Sequence, residues 1–340
     1  MRRAGKIGLM LKVFIKRPDG SVSNDASADS LAAAVRDRET VFWLDMLKPT
    51  DEEVALLDEV FGFHPLAIED SIQYTQRPKI ESYQHIGDAC KVGYFYMVFH
   101  GPDLETFKEK LRTKELDMFV SERYLVTIHD EEFQTVNAVL QRAATDVRVV
   151  LDPGIDMLLH DILDRITDAY MPILDYLGEQ LDEIEDKALR EPTPDVLVQI
   201  SEKKRELLNL RRVVGPQREV VAQLTRGEVP FIRMETRAYF RDVQDHLNRT
   251  VETVELYRDL VLGSRDIYLS SISNNLNQIM KTLTIISVIG LPMTIITGFF
   301  GMNFEALPGI HNVWGFWIAM ALMAAIDGFL IWLFKKKRWI

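Results

Sequence analysis

Two kinds of hydrophobic periodicity divide the chain. Over residues 1–150, short runs rich in Val, Phe, Tyr and Ile predict strands at Met10 to Ile15, Thr40 to Leu44, Lys91 to Phe99 and the alternating stretch Leu116 to Ile128. Helical spacing appears at Asp51 to Phe61, with Thr50 placed to cap it, and at Glu131 to Ala144. These elements predict a compact α/β domain whose strand order stays open. From Ile155 the period changes. Leu159, Ile162, Ile166, Ala169, Ile173, Leu177, Leu181, Ile184 and Ala188 keep steps of three and four, as one long helix ended by Pro192 and Pro194. Asp195 to about Val214 is its expected antiparallel partner, so residues 151–235 read as a helical hairpin.

A third helical pattern starts near Thr236 and meets no proline before Pro292. Continued to Phe300 it holds roughly 65 residues, about 95 Å at 1.5 Å per residue, more than any bilayer span. The reading is a stalk over 236–282 that runs into a first apolar span, 283–300. A loop at 301–313, a second span at 314–334 and a basic tail at 335–340 follow. The first span carries no charge and the second only Asp327. Lys281 precedes the first, and Lys335, Lys336, Lys337 and Arg338 follow the second, whereas the loop holds Glu305 and no Lys or Arg. The positive-inside bias then puts both termini in the cytoplasm and the loop outside, with Trp314, Trp317, Trp332 and Trp339 suited to the interfaces. A charged Asp at mid-membrane costs about 2.5–3.5 kcal/mol on insertion scales, so Asp327 is expected to lie shallower, to be protonated or to bond a neighbouring helix.

The first span is two-faced. Asn277, Met280, Leu283 or Thr284, Ser287, Leu291, Thr294 and Gly298 share one side, and Ile285, Ile289, Ile296 and Phe300 the other. Small and polar groups in a stripe serve either close helix packing or a water-filled path. One pair of helices encloses no lumen, so a path requires several copies around an axis.

Composition narrows the function. A formal net charge of −11 argues against nucleic acid as a partner and suits the handling of cations. Between Asp152 and Glu191 there are 12 acids against three bases, a solvated face or an attractor for divalent ions. The single cysteine, Cys90, rules out an intramolecular disulfide and a cysteine-rich metal site. The N-terminus reads without a clean signal peptide, because Lys6 and Lys12 interrupt its apolar stretch. No phosphate loop, His-Glu-x-x-His zinc site or dinucleotide fingerprint occurs, so an enzyme is not expected. His64, before Pro65, reads as the cap of a turn.

Gly301-Met302-Asn303 between two C-terminal spans, followed by Phe304-Glu305, resembles the signature of the CorA family of magnesium and cobalt transporters. His64-Pro-Leu-Ala-Ile-Glu-Asp70, Gln76-Arg-Pro-Lys79, Tyr239-Phe-Arg-Asp-Val243 and Tyr268-Leu-Ser-Ser271 resemble family patterns in the expected order, from about residue 40 to the end. The resemblance implies an α+β membrane protein: a homopentameric funnel in the lipid bilayer of the inner or plasma membrane, with the first span lining a pore. It assigns Asn277, Met280, Leu283, Leu291 and Thr294 to the pore and gate, and Gly301, Met302, Asn303 and Glu305 to the external mouth. It further implies regulatory cytoplasmic Mg2+ between subunits at Asp70 and Asp242, with Glu69 and Asp245 as weaker candidates. Position 291 is often Met in relatives, and Gly309 stands where a second loop acid is common. Those departures leave the order among Mg2+, Co2+, Ni2+ and Zn2+ open. A zinc-selective transporter of the same superfamily, with proton coupling open, is the near alternative. A membrane-tethered oligomeric scaffold is the distant one.

Overall fold

The structure, a computed structural model, describes residues 11–74, 76–83, 93–302 and 313–339. They fall into two units, Met1–Ile184 with Val198–Gly263, and Glu185–Leu197 with Ser264–Ile340.

In the first unit seven strands form one sheet. They are β1 (Leu11–Lys16), β2 (Val22–Ser23), β3 (Val41–Leu47), β4 (Lys79–Tyr83), β5 (Tyr94–Pro102), β6 (Thr113–Val120) and β7 (Tyr124–His129), in the order β2-β1-β3-β7-β6-β5-β4. Only β3 and β7 pair in parallel; the other pairs are antiparallel. The stretch Leu116 to Ile128 is therefore not one alternating strand. It is the end of β6 and most of β7 joined by a tight turn, in which the Ser121 N–H donates to the Tyr124 carbonyl at 2.9 Å. Both strands are buried on both sides, because helices cover each face of the sheet.

One face packs against α1 (Ala28–Arg36), α2 (Asp51–Glu59) and α3 (Pro65–Gln73), around Leu31, Leu57, Phe63, Ala67, Phe119 and Val126. The Phe63 and Phe119 rings stack with centroids 4.2 Å apart. Burying each such side chain stabilises the fold by about 1.5–3 kcal/mol. Thr50 caps α2 as expected: its Oγ1 accepts from the Glu53 N–H while the Glu53 carboxylate accepts from the Thr50 N–H. The other face carries α4 (Gln134–Thr145), α5 (Val147–Leu151) and α6 (Ile155–Asp168).

The expected single helix from Ile155 is two, α6 and α7 (Tyr170–Arg190), broken at Ala169. Pro172 lies in the first turn of α7, where a missing N–H costs least. Its partner α8 (Pro194–Arg226) runs past Val214 and through Pro216. Beside that proline Gln217 is fully buried, and its Nε2 donates to the His100 carbonyl at 2.9 Å, an acceptor shared with the Tyr170 hydroxyl. This tertiary anchor outweighs the local break. α9 (Arg237–Phe300) holds 64 residues, about 96 Å.

In the second unit the last part of α9 and α10 (Val313–Lys336) are each long and apolar enough to cross a membrane. Lys281 Nζ donates to the Arg338 carbonyl at 3.1 Å and ties their polar ends together.

Candidate cation sites and the two-faced helix

α3 opens with His64, whose Nδ1 accepts from the Leu66 N–H, and closes on Tyr74 in the left-handed region at φ 46°. This geometry presents Asp70, half-buried, toward the loop that leads to β4. Both of its carboxylate oxygens are engaged: Oδ2 by Lys79 Nζ at 2.5 Å and Oδ1 by Gln76 Nε2 at 3.1 Å. Gln76 is itself gripped by the sheet. Its N–H donates to Glu115 Oε2 at 3.0 Å, and its carbonyl lies 2.9 Å from His100 Nε2. Glu115 and His100 are cross-strand neighbours on β6 and β5, both buried. Burial pushes the Glu115 carboxyl up to about 7 and Asp117 well above the usual carboxylate range. Burial also pulls His100 down. Glu69 is exposed and accepts from Gln73 Nε2.

Asp242 is exposed on α9. It lies one turn before His246 on α9, and these two with Asp164 of α6 place one ligand atom each within 4.8 Å of one another. His246 Nδ1 is 2.9 Å from Asp168 Oδ1, which leaves Nε2 as the nitrogen free for an ion. A carboxylate behind a ligating imidazole is the usual way its tautomer and orientation are held. Burial, then the charge of Asp168, push the Asp164 carboxyl up against the pull of His160 and His246. A cation would relieve that crowding. Asp245 is exposed and outside this within-chain cluster. The missed pair had a readable signal: Asp164 and Asp168 on one helix, and Asp242 and His246 on another, are each spaced i, i+4.

Exposure does not divide the apolar part of α9 cleanly: Ile279, Ile286 and Ile295 are exposed and Thr284 is half-buried. Asn277, Met280, Leu283, Ser287, Leu291, Thr294 and Gly298 are exposed, whereas Ile285, Ile289, Ile296 and Phe300 are half-buried. Thr294 Oγ1 donates to the Gly290 carbonyl at 2.9 Å, so its remaining lone pairs stay available. The helix ends at Gly301, whose N–H donates to the Thr297 carbonyl; a Cβ there would come within 3.0 Å of that oxygen. Met302 completes the turn. Asn303 and Glu305 lie outside the described residues. In α10 Asp327 is buried although most of its neighbours are exposed, and among the described residues its Oδ1 is without a hydrogen-bond partner.

Comparison with known proteins settles the family. The profile of the CorA-like Mg2+ transporter proteins matches residues 38–336. The chain belongs to that family. The Bacillus subtilis protein YfjQ is 37% identical over 88% of this chain and 89% of its own. The cobalt/magnesium transport protein CorA of Thermotoga maritima is 33% identical over 90% of this chain and 85% of its own. The solved CorA magnesium transporter of Methanocaldococcus jannaschii superposes with a TM-score of 0.81 at 27% identity, covering 98% of this chain and all of that one. The N-terminal α/β part, the long helix and the two apolar C-terminal helices are thus the CorA architecture. This is a divalent cation transporter of the CorA family.

Proposed function

We propose that five copies of the chain surround a gated, passive path for Mg2+, with Co2+ and Ni2+ as further cargo. The observation that carries this reading is the two-faced α9. Ile285, Ile289 and Ile296 are half-covered, and Asn277, Ser287, Thr294 and Gly298 of the small and polar stripe are exposed. Repeated around an axis, that stripe becomes a wall. Met280, Leu283 and Leu291 supply a constriction that closes by dewetting. Five copies of Asn303 at the outer mouth would hold a hydrated Mg2+ through its waters, which suits an ion that dehydrates reluctantly, and Glu305 attracts cations to it. Gly301 and Met302 form the corner that presents them. No energy source is needed, since a divalent ion entering across 100 mV, inside negative, gains about 4.6 kcal/mol.

Regulation follows from charge. Carboxylates of neighbouring copies, Asp70 and Asp242 with weaker help from Glu69 and Asp245, repel until cytoplasmic Mg2+ joins them, so the bound ion favours the closed ring. It shifts the equilibrium only by its differential affinity for that ring. Asp164 and His246 add ligands beside Asp242, and imidazole suits Co2+, Ni2+ or Zn2+ better than Mg2+. That imidazole is the one observation favouring the zinc alternative.

Proteoliposomes holding the purified protein distinguish these readings. Mg2+ uptake that follows membrane potential and ignores a pH gradient is expected. Zn2+ uptake that follows the pH gradient, with no Mg2+ uptake, would put the zinc reading in its place.

A further inference from the structure

Lys79 is the first residue of β4 and Glu81 lies two residues on, so both project from one side of the strand. The Lys79 ammonium is 2.5 Å from Asp70 Oδ2, 3.0 Å from Glu81 Oε1 and 5.4 Å from the centre of the Tyr96 ring. We infer that Lys79 is a tethered counter-cation of Asp70, which a divalent ion displaces onto Glu81, and that it thereby sets the ion concentration at which the Asp70 site fills. This rests on the reading of Asp70 as a divalent-cation ligand.

Three features support the exchange. Each oxygen of Asp70 already has a donor, Gln76 on Oδ1 and Lys79 on Oδ2, so an arriving ion meets a positive charge seated on the carboxylate and competes with it. Of the two partners, Gln76 is the fixed one, clamped at its backbone by buried Glu115 and His100. Lys79 is the movable one: its flexible stem already reaches a second carboxylate and an aromatic face, so leaving Asp70 does not strand its charge. Burial works against that charge, but the hydrogen bonds and charges of Asp70 and Glu81 prevail and hold the ammonium above its ordinary range. A competing charge of this kind raises the concentration needed for every divalent ion alike. It tunes the threshold of the site without ranking its ions.

The sign of the effect separates this role from a merely structural ion pair. If Lys79 only braced α3, removing it would loosen the loop and weaken cation binding. If it competes, removing it strengthens binding. The test measures the Mg2+ midpoint for protection of full-length protein from limited proteolysis, with Mg2+ the sole divalent ion. Lys79→Gln should lower the midpoint roughly two- to five-fold, the size of a partly exposed ion pair, and Lys79→Arg should leave it near wild type. Glu81→Gln removes the alternative partner and should raise the midpoint, which keeps the inference testable should Lys79→Gln fold poorly. An unchanged or higher midpoint in folded Lys79→Gln, or an unchanged or lower one in Glu81→Gln, overturns it. Asp70→Asn serves as the separate control: if that variant keeps the wild-type midpoint, the assignment of Asp70 itself fails.

Discussion

Arg233 reaches back 77 residues to Asp156, its Nη2 2.6 Å from Oδ1 and its Nε 2.8 Å from Oδ2. The Thr236 hydroxyl also donates to the same carboxylate at 2.6 Å, immediately before α9 begins. Asp156 is buried and Arg233 half-exposed, so the pair anchors the start of α9 to the start of α6. Burial raises the Asp156 carboxyl, but the bonds from Arg233 and Thr236 outweigh it and hold it below the usual carboxylate range.

Replacing Asp156 by Ala should therefore destabilise the first unit by about 2 kcal/mol. That is below the range for a fully buried pair, because Arg233 stays hydrated. A depressed folded pKa contributes stability above the unfolded value near 4, and that contribution fades as pH falls through the folded one. Thermal melts at pH 7 and pH 3 should show the variant's deficit shrinking at acid pH. An equal deficit at both would mean that packing, not charge, carries the anchor.

Glu115 works with the opposite sign. Its folded pKa is raised to about 7, so between the unfolded value near 4 and that point the folded state holds the extra proton. Stability should fall as pH rises through this window. Glu115→Gln keeps the bond to the Gln76 N–H and loses the titration. Its melting temperature should then change less than wild type's between pH 5 and pH 8. Parallel curves for the two proteins would refute the assignment.

Much of this was readable in advance, and the misses have physical causes. Amphipathic spacing located α9 to within one residue at its start, and Thr50 and His64 were legible as caps because a cap is local chemistry. The β6–β7 turn was missed since Ser121-Glu122-Arg123 lacks glycine or proline and both strands are buried on two sides, which erases alternation. α8 runs on past Val214 and through Pro216 because the compensation is tertiary: Gln217 binds the carbonyl of His100, 117 residues away. For Asp242 the i, i+4 spacing shows that His246 shares its face of α9, but that Asp164 joins them is tertiary, since α6 and α9 meet only on packing.

That cluster makes a spectroscopic prediction. Co2+ added to the full-length protein should give visible d–d bands with an imidazole contribution, lost in His246→Ala and weakened in Asp164→Asn. Because Asp168 supports the imidazole, Asp168→Asn should weaken Co2+ binding by roughly tenfold while leaving the fold intact. Unaltered bands in His246→Ala would place the ion elsewhere.

We propose a passive Mg2+ path whose outer mouth is Asn303 and whose closed constriction includes Met280. The most direct measurement is Mg2+ uptake into proteoliposomes without nucleotide, under an inside-negative potential. Wild type should load Mg2+ at a rate that rises with the potential, and Met280→Gly should leak where wild type is closed. Asn303→Ala should lose uptake at unchanged oligomer size. Uptake by Asn303→Ala equal to wild type, or no uptake by wild type without an energy source, would contradict the account.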